Sequence, residues 1–434
     1  MSITDTAGGV KRVPALRFSE FEGTWVEKSL EDLNVEISDG NYGEMYPTQE
    51  QFVSDGVPFI RANNLRDGTI RSDDMRFISP ELHEVLRSGH LKLSDILVTT
   101  RGDIGMVSFV PLEFVGANIN AQLCLLRNAD RSDQFFIFSY LNHHVAKRQF
   151  AELTTGSALK QLPRKNLKKV RIGIPSLPEQ KKIAKFLGVV DAKIAALKAR
   201  QEGLERYKRG LMQALFGQRL RFTKPDGTAF PDWEEKRLGE MFYWHKTNSL
   251  SREKLNYEDG EAQNIHYGDI HTKFQASFKQ AVETVPYISD GALSKDIAED
   301  ELCKVGDLVI ADASEDYEDI GKAIEIIELT DTPLVAGLHT YIARPKGDVV
   351  TGFSGYLFRC AEMRKQIMTI AQGVSVLGIS KTNLEKLLLA LPHPDEQQKI
   401  ADALQAMDAK IAAVAGQVAK MEDFKKGLLQ QMFV

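Results

Sequence analysis

The sequence predicts a mixed α/β chain that is internally duplicated: two globular α/β domains separated by two long helices that pair as an antiparallel, coiled-coil-like spacer. Three observations carry this prediction. Residues 179–184 read EQKKIA and residues 396–401 read EQQKIA, an offset of 217 in a chain of 434 residues. The same offset relates Asp191-Ala-Lys-Ile-Ala-Ala196 to Asp408-Ala-Lys-Ile-Ala-Ala413, and about 18 of the 41 positions from 176 to 216 match their counterparts. Both repeated segments also carry apolar residues at alternating spacings of four and three, the pattern of a coiled-coil seam.

The elements follow in order. Residues 1–175 form the first globular domain, with strand-like runs at Asp95-Ile-Leu-Val-Thr-Thr100 and Met106-Val-Ser-Phe-Val110 and a helical stretch over 134–152. A long helix occupies 176–222. Its seam runs Ile183, Leu187, Val190, Ile194, Leu197 and Leu204, with Tyr207 and Leu211 beyond. Ser176-Leu-Pro-Glu179 has the form of a capping box, and Gly217 sits where a C-terminal stop belongs. At about 1.5 Å per residue, some 38 residues of helix make a rod of roughly 57 Å. Residues 223–392 form the second domain, with a strand-like run at Asp307-Leu-Val-Ile-Ala311 and helix over 352–371. The last helix, 393–434, has its seam at Ile400, Leu404, Met407, Ile411, Val414 and Val418, then Met421, Phe424 and Leu428.

Upstream of the helices the repeat is fainter and its offset drifts. It is still 217 for Gly156 and Gly373, 212 for Ser94-Asp-Ile-Leu97 and Gly306-Asp-Leu-Val309, and 208 for Trp25-Val-Glu-Lys28 and Trp233-Glu-Glu-Lys236. A drifting offset means changed loop lengths in a shared fold. The two halves thus have matching ends and divergent middles.

Composition narrows the function classes. Apolar residues make up 43% and charged residues 26%, an ordinary globular balance. Three cysteines, Cys124, Cys303 and Cys360, lie far apart with no Cys-x-x-Cys pair, which disfavours a disulfide scaffold or a cysteine zinc site and fits a reducing cytoplasm. No apolar run approaches the roughly 20 residues of a spanning helix, and Met1-Ser-Ile-Thr-Asp-Thr6 lacks the basic and apolar regions of an export signal. Neither a phosphate-binding glycine loop nor a dinucleotide fingerprint occurs, and there is no Asn-Pro-Pro-aromatic string of an amino-methyltransferase. His143-His144, adjacent in sequence, would point about 100° apart on a helix and make poor joint metal ligands. Pro225-Asp226 with Glu234-Glu-Lys236 has the residue types of a Mg²⁺ nuclease site, but its repeat at Trp25-Val-Glu-Lys28 lacks the preceding Pro-Asp, so a strand leading into the domain is the better reading. The chain is read as having no active site and no bound metal.

The net charge of −5 argues mildly against a uniformly basic nucleic-acid binder, yet it is unevenly distributed. Residues 1–175 carry 21 basic and 22 acidic side chains, 176–222 carry 11 and 4, 223–392 carry 18 and 28, and 393–434 carry 5 and 6. The first rod is therefore a basic stripe of +7, while the second domain is −10, with an acidic run at Glu315-Asp-Tyr-Glu-Asp319.

Two variable domains, each followed by a near-invariant helix entered through Pro-x-x-x-Glu-Gln-x-x-Ile-Ala or its close variant, resemble the specificity subunit of type I restriction-modification systems. The strings that carry the resemblance are Ile174-Pro-Ser-Leu-Pro-Glu-Gln-Lys-Lys-Ile-Ala184 and Leu391-Pro-His-Pro-Asp-Glu-Gln-Gln-Lys-Ile-Ala401. Phe59-Ile-Arg-Ala-Asn-Asn-Leu65, Arg101-Gly-Asp-Ile-Gly105, Thr155-Gly-Ser157, Ile265-His-Tyr-Gly-Asp-Ile270 and Asp312-Ala-Ser-Glu-Asp316 support them. The second Thr-Gly-Ser site departs from the pattern, reading Gln372-Gly-Val-Ser375. The resemblance implies that each globular domain is a target-recognition domain reading one half of an asymmetric, bipartite site in double-stranded DNA. It implies no cofactor on this chain. Two DNA adenine methyltransferase subunits carrying S-adenosylmethionine would dock on the rods, and motor-endonuclease subunits using ATP with Mg²⁺ would join them.

With DNA as the partner, polar side chains on turns form the pool of readers. The candidates are Arg61, Asn63, Asn64, Arg101, Ser157, Lys160 and Gln161 in the first domain. In the second they are His266, Tyr267, Asp269, Lys273, Ser314, Glu315, Lys322 and Lys381. The twelve seam residues from Ile183 to Leu204 and from Ile400 to Val418 are expected to serve helix packing and partner docking. The alternative is a duplicated coiled-coil adaptor that binds only proteins, which would suit the acidic second domain.

Overall fold

The structure, a computed structural model, describes residues 13–41, 46–128, 132–291 and 297–434; Met1–Thr6, considered as an export signal, lies outside the described residues. The chain divides into two compact units, Met1–Lys198 with Gly416–Val434, and Ala199–Ala415. Both long helices, Leu177–Phe216 and Pro394–Met432, contribute a segment to each unit. Among the described residues no helix is long and apolar enough to cross a membrane.

In the first unit, Val26–Ser29 pairs antiparallel with Arg171–Ile174, so the chain enters and leaves the globular part side by side. Between them lie two four-stranded sheets. One is antiparallel, in the order Glu36–Asp39, Leu123–Arg127, Ile96–Thr99, Val107–Phe109. The other orders Asn118–Ile119, Val57–Ile60, Arg76–Ile78 and Phe52–Val53, with the first pair parallel. The run Ile96-Leu-Val-Thr99 is buried on both faces, which explains why it is continuously apolar rather than alternating. Helices Gln134–Leu141 and His144–Leu153 pack beside it. Phe136, Tyr140 and Phe150 are fully buried in the same core as Ile183, Leu187 and Val190 of the first long helix and Leu428, Met432 and Phe433 of the chain's end.

The second unit repeats this plan. Glu234–Arg237 pairs with Leu388–Leu391, and the main sheet runs Phe242–His245, Thr340–Pro345, Leu308–Ala311, Ala323–Glu328, with Ser277–Lys279 added at the edge. Gln263–Ile265 lies parallel to Leu334–Ala336, as Val57–Ile60 does to Asn118–Ile119. A buried ion pair recurs at the same place. The Arg127 guanidinium donates to both oxygens of Asp95 at 2.8 and 2.6 Å, and that of Arg344 to both oxygens of Asp307 at 2.8 Å each. The bidentate geometry satisfies carboxylates that are almost wholly buried.

The repeated Glu-Gln pair proves structural, and this corrects the capping-box expectation. Glu179 is buried, and its carboxylate accepts from Arg17 at 2.8 and 2.7 Å and from the Trp25 indole at 3.3 Å. Glu396 accepts in the same way from Arg221 and Trp233. Gln180 donates to the Pro175 carbonyl and accepts from the Asp133 amide, while Gln397 donates to the Pro392 carbonyl and accepts from the Val350 amide. These two side chains therefore bind each helix to the globular part it follows. Gly217 does follow directly on the last helical residue, Phe216.

Within the first unit the two helix segments run antiparallel, joined by Asp191–Lys425 at 2.5 Å and Lys198–Glu422 at 2.7 Å. Lys208–Asp408 at 2.5 Å joins the segments of the second unit and is the repeat of Asp191–Lys425. Ile183, Leu187, Val190, Ile194, Leu197, Ile400, Leu404, Met407, Val414 and Val418 are buried, and Leu204 and Ile411 are half-buried. The ten buried ones serve packing, and their expected docking role is corrected, because buried side chains have no free surface for a partner; Leu204 and Ile411 keep part of their surface. Two seam positions are left uncovered, Tyr207 at 62% and Phe424 at 50% exposure, although Leu211 and Leu428 beyond them pack against the cores.

The nuclease-like residues dissolve into local structure. Asp226 accepts from the Thr228 amide and hydroxyl in a turn, and Lys236 pairs with Asp348 at 3.1 Å on the strand that leads into the second domain. No group of three or more His, Cys, Asp or Glu placed to hold a metal occurs among the described residues. His143 is buried beside Tyr140 and Phe433, and burial pushes its imidazole down to about 4, so it is a neutral core residue.

Candidate nucleic-acid interface

Each unit carries a cleft built from the same three pieces of backbone. In the first, the Thr100 amide donates to the Gln122 carbonyl, the Leu162 amide donates to the Thr100 carbonyl, and Thr155 and Gln161 exchange two backbone hydrogen bonds that close the loop between them. In the second, Asp312 replaces Thr100, His339 replaces Gln122, Ile379 replaces Leu162, and Gln372 and Gly378 close the loop. The first cleft, of about 260 Å³, is lined by Asp39, Thr100, Arg101, Gln161 and Arg164 among others; the second, of about 420 Å³, by Asp312, Ala313, His339, Gln372 and Ser380.

The scaffold matches while the chemistry differs. The first cleft presents guanidinium and amide groups, donors suited to guanine and adenine edges in a major groove. Arg101 and Gln161 are exposed and meet across an isolated backbone bridge; Arg164 lies 3.5 Å from Asp39, which also accepts from the Cys124 thiol. The second cleft presents an acid and an imidazole, 3.2 Å apart at Asp312 and His339. Burial raises the Asp312 carboxyl above its ordinary range, with the neighbouring imidazole opposing. His339 has a positive φ of 57°, a strained conformation for a non-glycine residue, and its ring meets the edge of Tyr267.

The expected readers divide by access. Asn63, Arg101, Ser157, Lys160, Gln161, Glu315 and Lys381 are exposed, and Lys273 is about half-exposed. Arg61 and Asn63 both reach the Asp74 carboxylate, so they are tied to a neighbouring turn. Lys322 is held by Asp319 and the His271 carbonyl.

Four candidates are corrected, because the structure uses them to build their own loops. Buried Asn64 accepts from the Arg61 amide and donates to the Arg71 and Asp73 carbonyls. Asp269, at the equivalent position, is buried between Arg252 and Lys273. His266 accepts the Gly268 amide at the start of a short helix, its ring pushed down to about 4, chiefly by burial. Buried Ser314 accepts from the Asp316 amide. Tyr267 is half-buried, stacked on His266 and edge-on to His271.

Sequence reasoning missed Asp39, Gln122, Arg164, Asp312 and His339, although the offset of 217 pairs Gln122 with His339. It also missed the cations that hold neighbouring loops. The Lys147 ammonium, pushed down to about 8 by burial, donates to the Gly105 carbonyl at 2.5 Å. Its repeat, Arg364, donates to the Tyr317, Glu318 and Ile320 carbonyls and so holds the acidic loop.

Comparison with known proteins agrees with this duplicated plan. The solved S subunit of a type I restriction-modification system from M. genitalium has a similar fold, with a TM-score of 0.57 at 14% identity, covering 98% of this chain and 99% of that one. A second solved chain, from work on complex assembly and conformational transition of a type I system, gives 0.53 at 17% identity over 94% and 97%. The type I restriction enzyme MjaVIII specificity subunit of Methanocaldococcus jannaschii is 24% identical over 389 residues, 86% of this chain and 84% of its own length. Nothing in these matches favours an adaptor that binds only proteins. Because the model of the type I restriction modification DNA specificity domain matches twice, over residues 22–206 and 231–422, this chain belongs to that family and recognises DNA targets.

Proposed function

We propose that the two matched clefts are the base-reading surfaces, and that the chain is the non-catalytic specificity subunit of a cytoplasmic complex. One observation carries this reading: a common backbone frame holds unlike polar groups in the two units. Equivalent frames would dock on DNA in equivalent ways, and unlike linings would read different bases, giving an asymmetric bipartite target. Arg101→Ala is expected to weaken cognate binding of the assembled complex by about 1–3 kcal/mol and to relax one position of one half-site. The paired change Asp312→Thr with His339→Gln is expected to alter only the other half-site. Gel-shift titration and methylome mapping test both, and unchanged affinity and motif in all these variants would remove the clefts from consideration.

The methylation chemistry would belong to partners: two DNA adenine methyltransferase subunits with S-adenosylmethionine, and motor-endonuclease subunits with ATP and Mg²⁺. We place the methyltransferase contacts at Tyr207 and Phe424, exposed aromatic residues at the same point of the repeat. Three residues on in each helix is a glycine, Gly210 or Gly427, where an added methyl would meet nothing within 4 Å. A helix-interior glycine costs about 1 kcal/mol relative to alanine, and nothing among the described residues crowds either position. Close approach of a partner's backbone beside an aromatic anchor would account for both, twice. Tyr207→Ala combined with Phe424→Ala is expected to weaken partner association at least tenfold, on the scale of losing two interface anchors. Unchanged sedimentation of the assembled complex would exclude these contacts.

A further inference from the structure

The two closed loops beside the clefts, 155–161 and 372–378, share almost no side chains. Thr155, Ser157, Ala158, Lys160 and Gln161 become Gln372, Val374, Ser375, Leu377 and Gly378. Two features are kept: the glycine, Gly156 or Gly373, and a branched aliphatic residue three positions on, Leu159 or Val376. The geometry links them. Gly156 has φ +94°, and a Cβ there would lie 2.4 Å from the Leu159 carbonyl oxygen; Gly373 has φ +129°, and a Cβ would lie 2.0 Å from that of Val376. In both units, therefore, only glycine lets the turn close against the backbone of this aliphatic residue. The closed turn leaves Leu159 89% and Val376 57% exposed, with Val374 fully exposed beside it in the second loop.

A single exposed leucine needs no explanation. An exposed aliphatic residue kept at the same register of two readers that differ elsewhere, on a backbone shaped to present it, does. We propose that Leu159 and Val376 are apolar contacts to duplex DNA that enter a groove at each half-site. Because both readers retain them while their polar linings differ, the contact supplies affinity common to both half-sites, and the clefts supply the choice of base. Charge favours DNA as the occupant: Lys160 is exposed next to Leu159 in the chain and Arg101 is exposed opposite Gln161 at the end of the same loop, with no carboxylate paired to either among the described residues, and Lys381, 3.8 Å from Glu385, is exposed just beyond the second loop. An aliphatic side chain against base edges or sugars removes apolar surface from water without touching a phosphate.

This rests on the clefts being the reading surfaces, and its test separates the two. In the assembled complex, Leu159→Ser, and Val374→Ser combined with Val376→Ser, should each raise the dissociation constant for a cognate duplex by roughly tenfold or more, the order expected when a loop loses its aliphatic contact. The dependence of binding on salt should stay unchanged, since no phosphate contact is lost, whereas Lys160→Ala should flatten it. The methylated motif should stay the same, and so should the thermal midpoint, because the side chains are exposed. An affinity within about twofold of the parent in both loop variants, while Arg101→Ala alters the motif, overturns this proposal and leaves the clefts standing. Loss of partner subunits from the loop variants, with parental DNA affinity in whatever complex assembles, also overturns it and assigns the loops to a protein contact.

Discussion

Arg17→Met lowers the stability of the first unit by about 3 kcal/mol, and Arg221→Met does the same to the second. Each substitution strands a buried carboxylate, Glu179 or Glu396, that loses two charge-assisted hydrogen bonds and keeps, among the described residues, one indole donor. The side chains of Arg17 and Arg221 are 15% and 24% exposed, so water reaches them, and the figure is taken at the low end for a broken buried pair. For a unit of this size that corresponds to a fall of roughly 6–12 °C in its melting temperature. Scanning calorimetry of each variant should show one of two transitions displaced and the other in place. A shift under about 1 °C would mean that the Glu-Gln motif does not hold helix to domain in the way described.

Exchange of residues 20–175 for the corresponding segment of a relative with another target rewrites one half-site and leaves the other intact. The effect is large because the original half-site then holds only nonspecific contacts; specific binding exceeds nonspecific binding by about 10³-fold or more. The grounds are local: the entry and exit strands Val26–Ser29 and Arg171–Ile174 pair with each other, and the variable sheets lie between them. Methylome sequencing reads the outcome directly. A motif altered on both sides would show that the two readers are not independent modules.

The duplication and the long helices were legible because they rest on near-identical strings and strong periodicity. Which seam residues pack was also legible; that Tyr207 and Phe424 do not was hidden, because an apolar residue at seam spacing looks the same whether or not a neighbour covers it. The site was read less well. Asn64 and Asp269 have the residue types of base readers, and only the fold reveals that each organises the turn it sits on. His339 and Asp312 lie 27 positions apart and become neighbours through the pairing of Leu308–Ala311 with Thr340–Pro345. Such juxtapositions depend on strand register, which a drifting repeat offset blurs.

The sharing of each helix between units has a consequence for synthesis. The Leu16 amide donates to the Gln431 carbonyl, the Tyr140 hydroxyl donates to the Val434 carbonyl, and Phe433 packs against Trp25 and Phe136. The unit made first thus includes Gly416–Val434, which are made only after the whole of Ala199–Ala415. At about 5–20 residues per second, a ribosome takes roughly 10–45 s to cover the intervening stretch. During that time the first core stays open on the side where Leu428, Met432 and Phe433 belong, and a chain released before that segment is made would lack part of the core of its first unit as well as the segment itself.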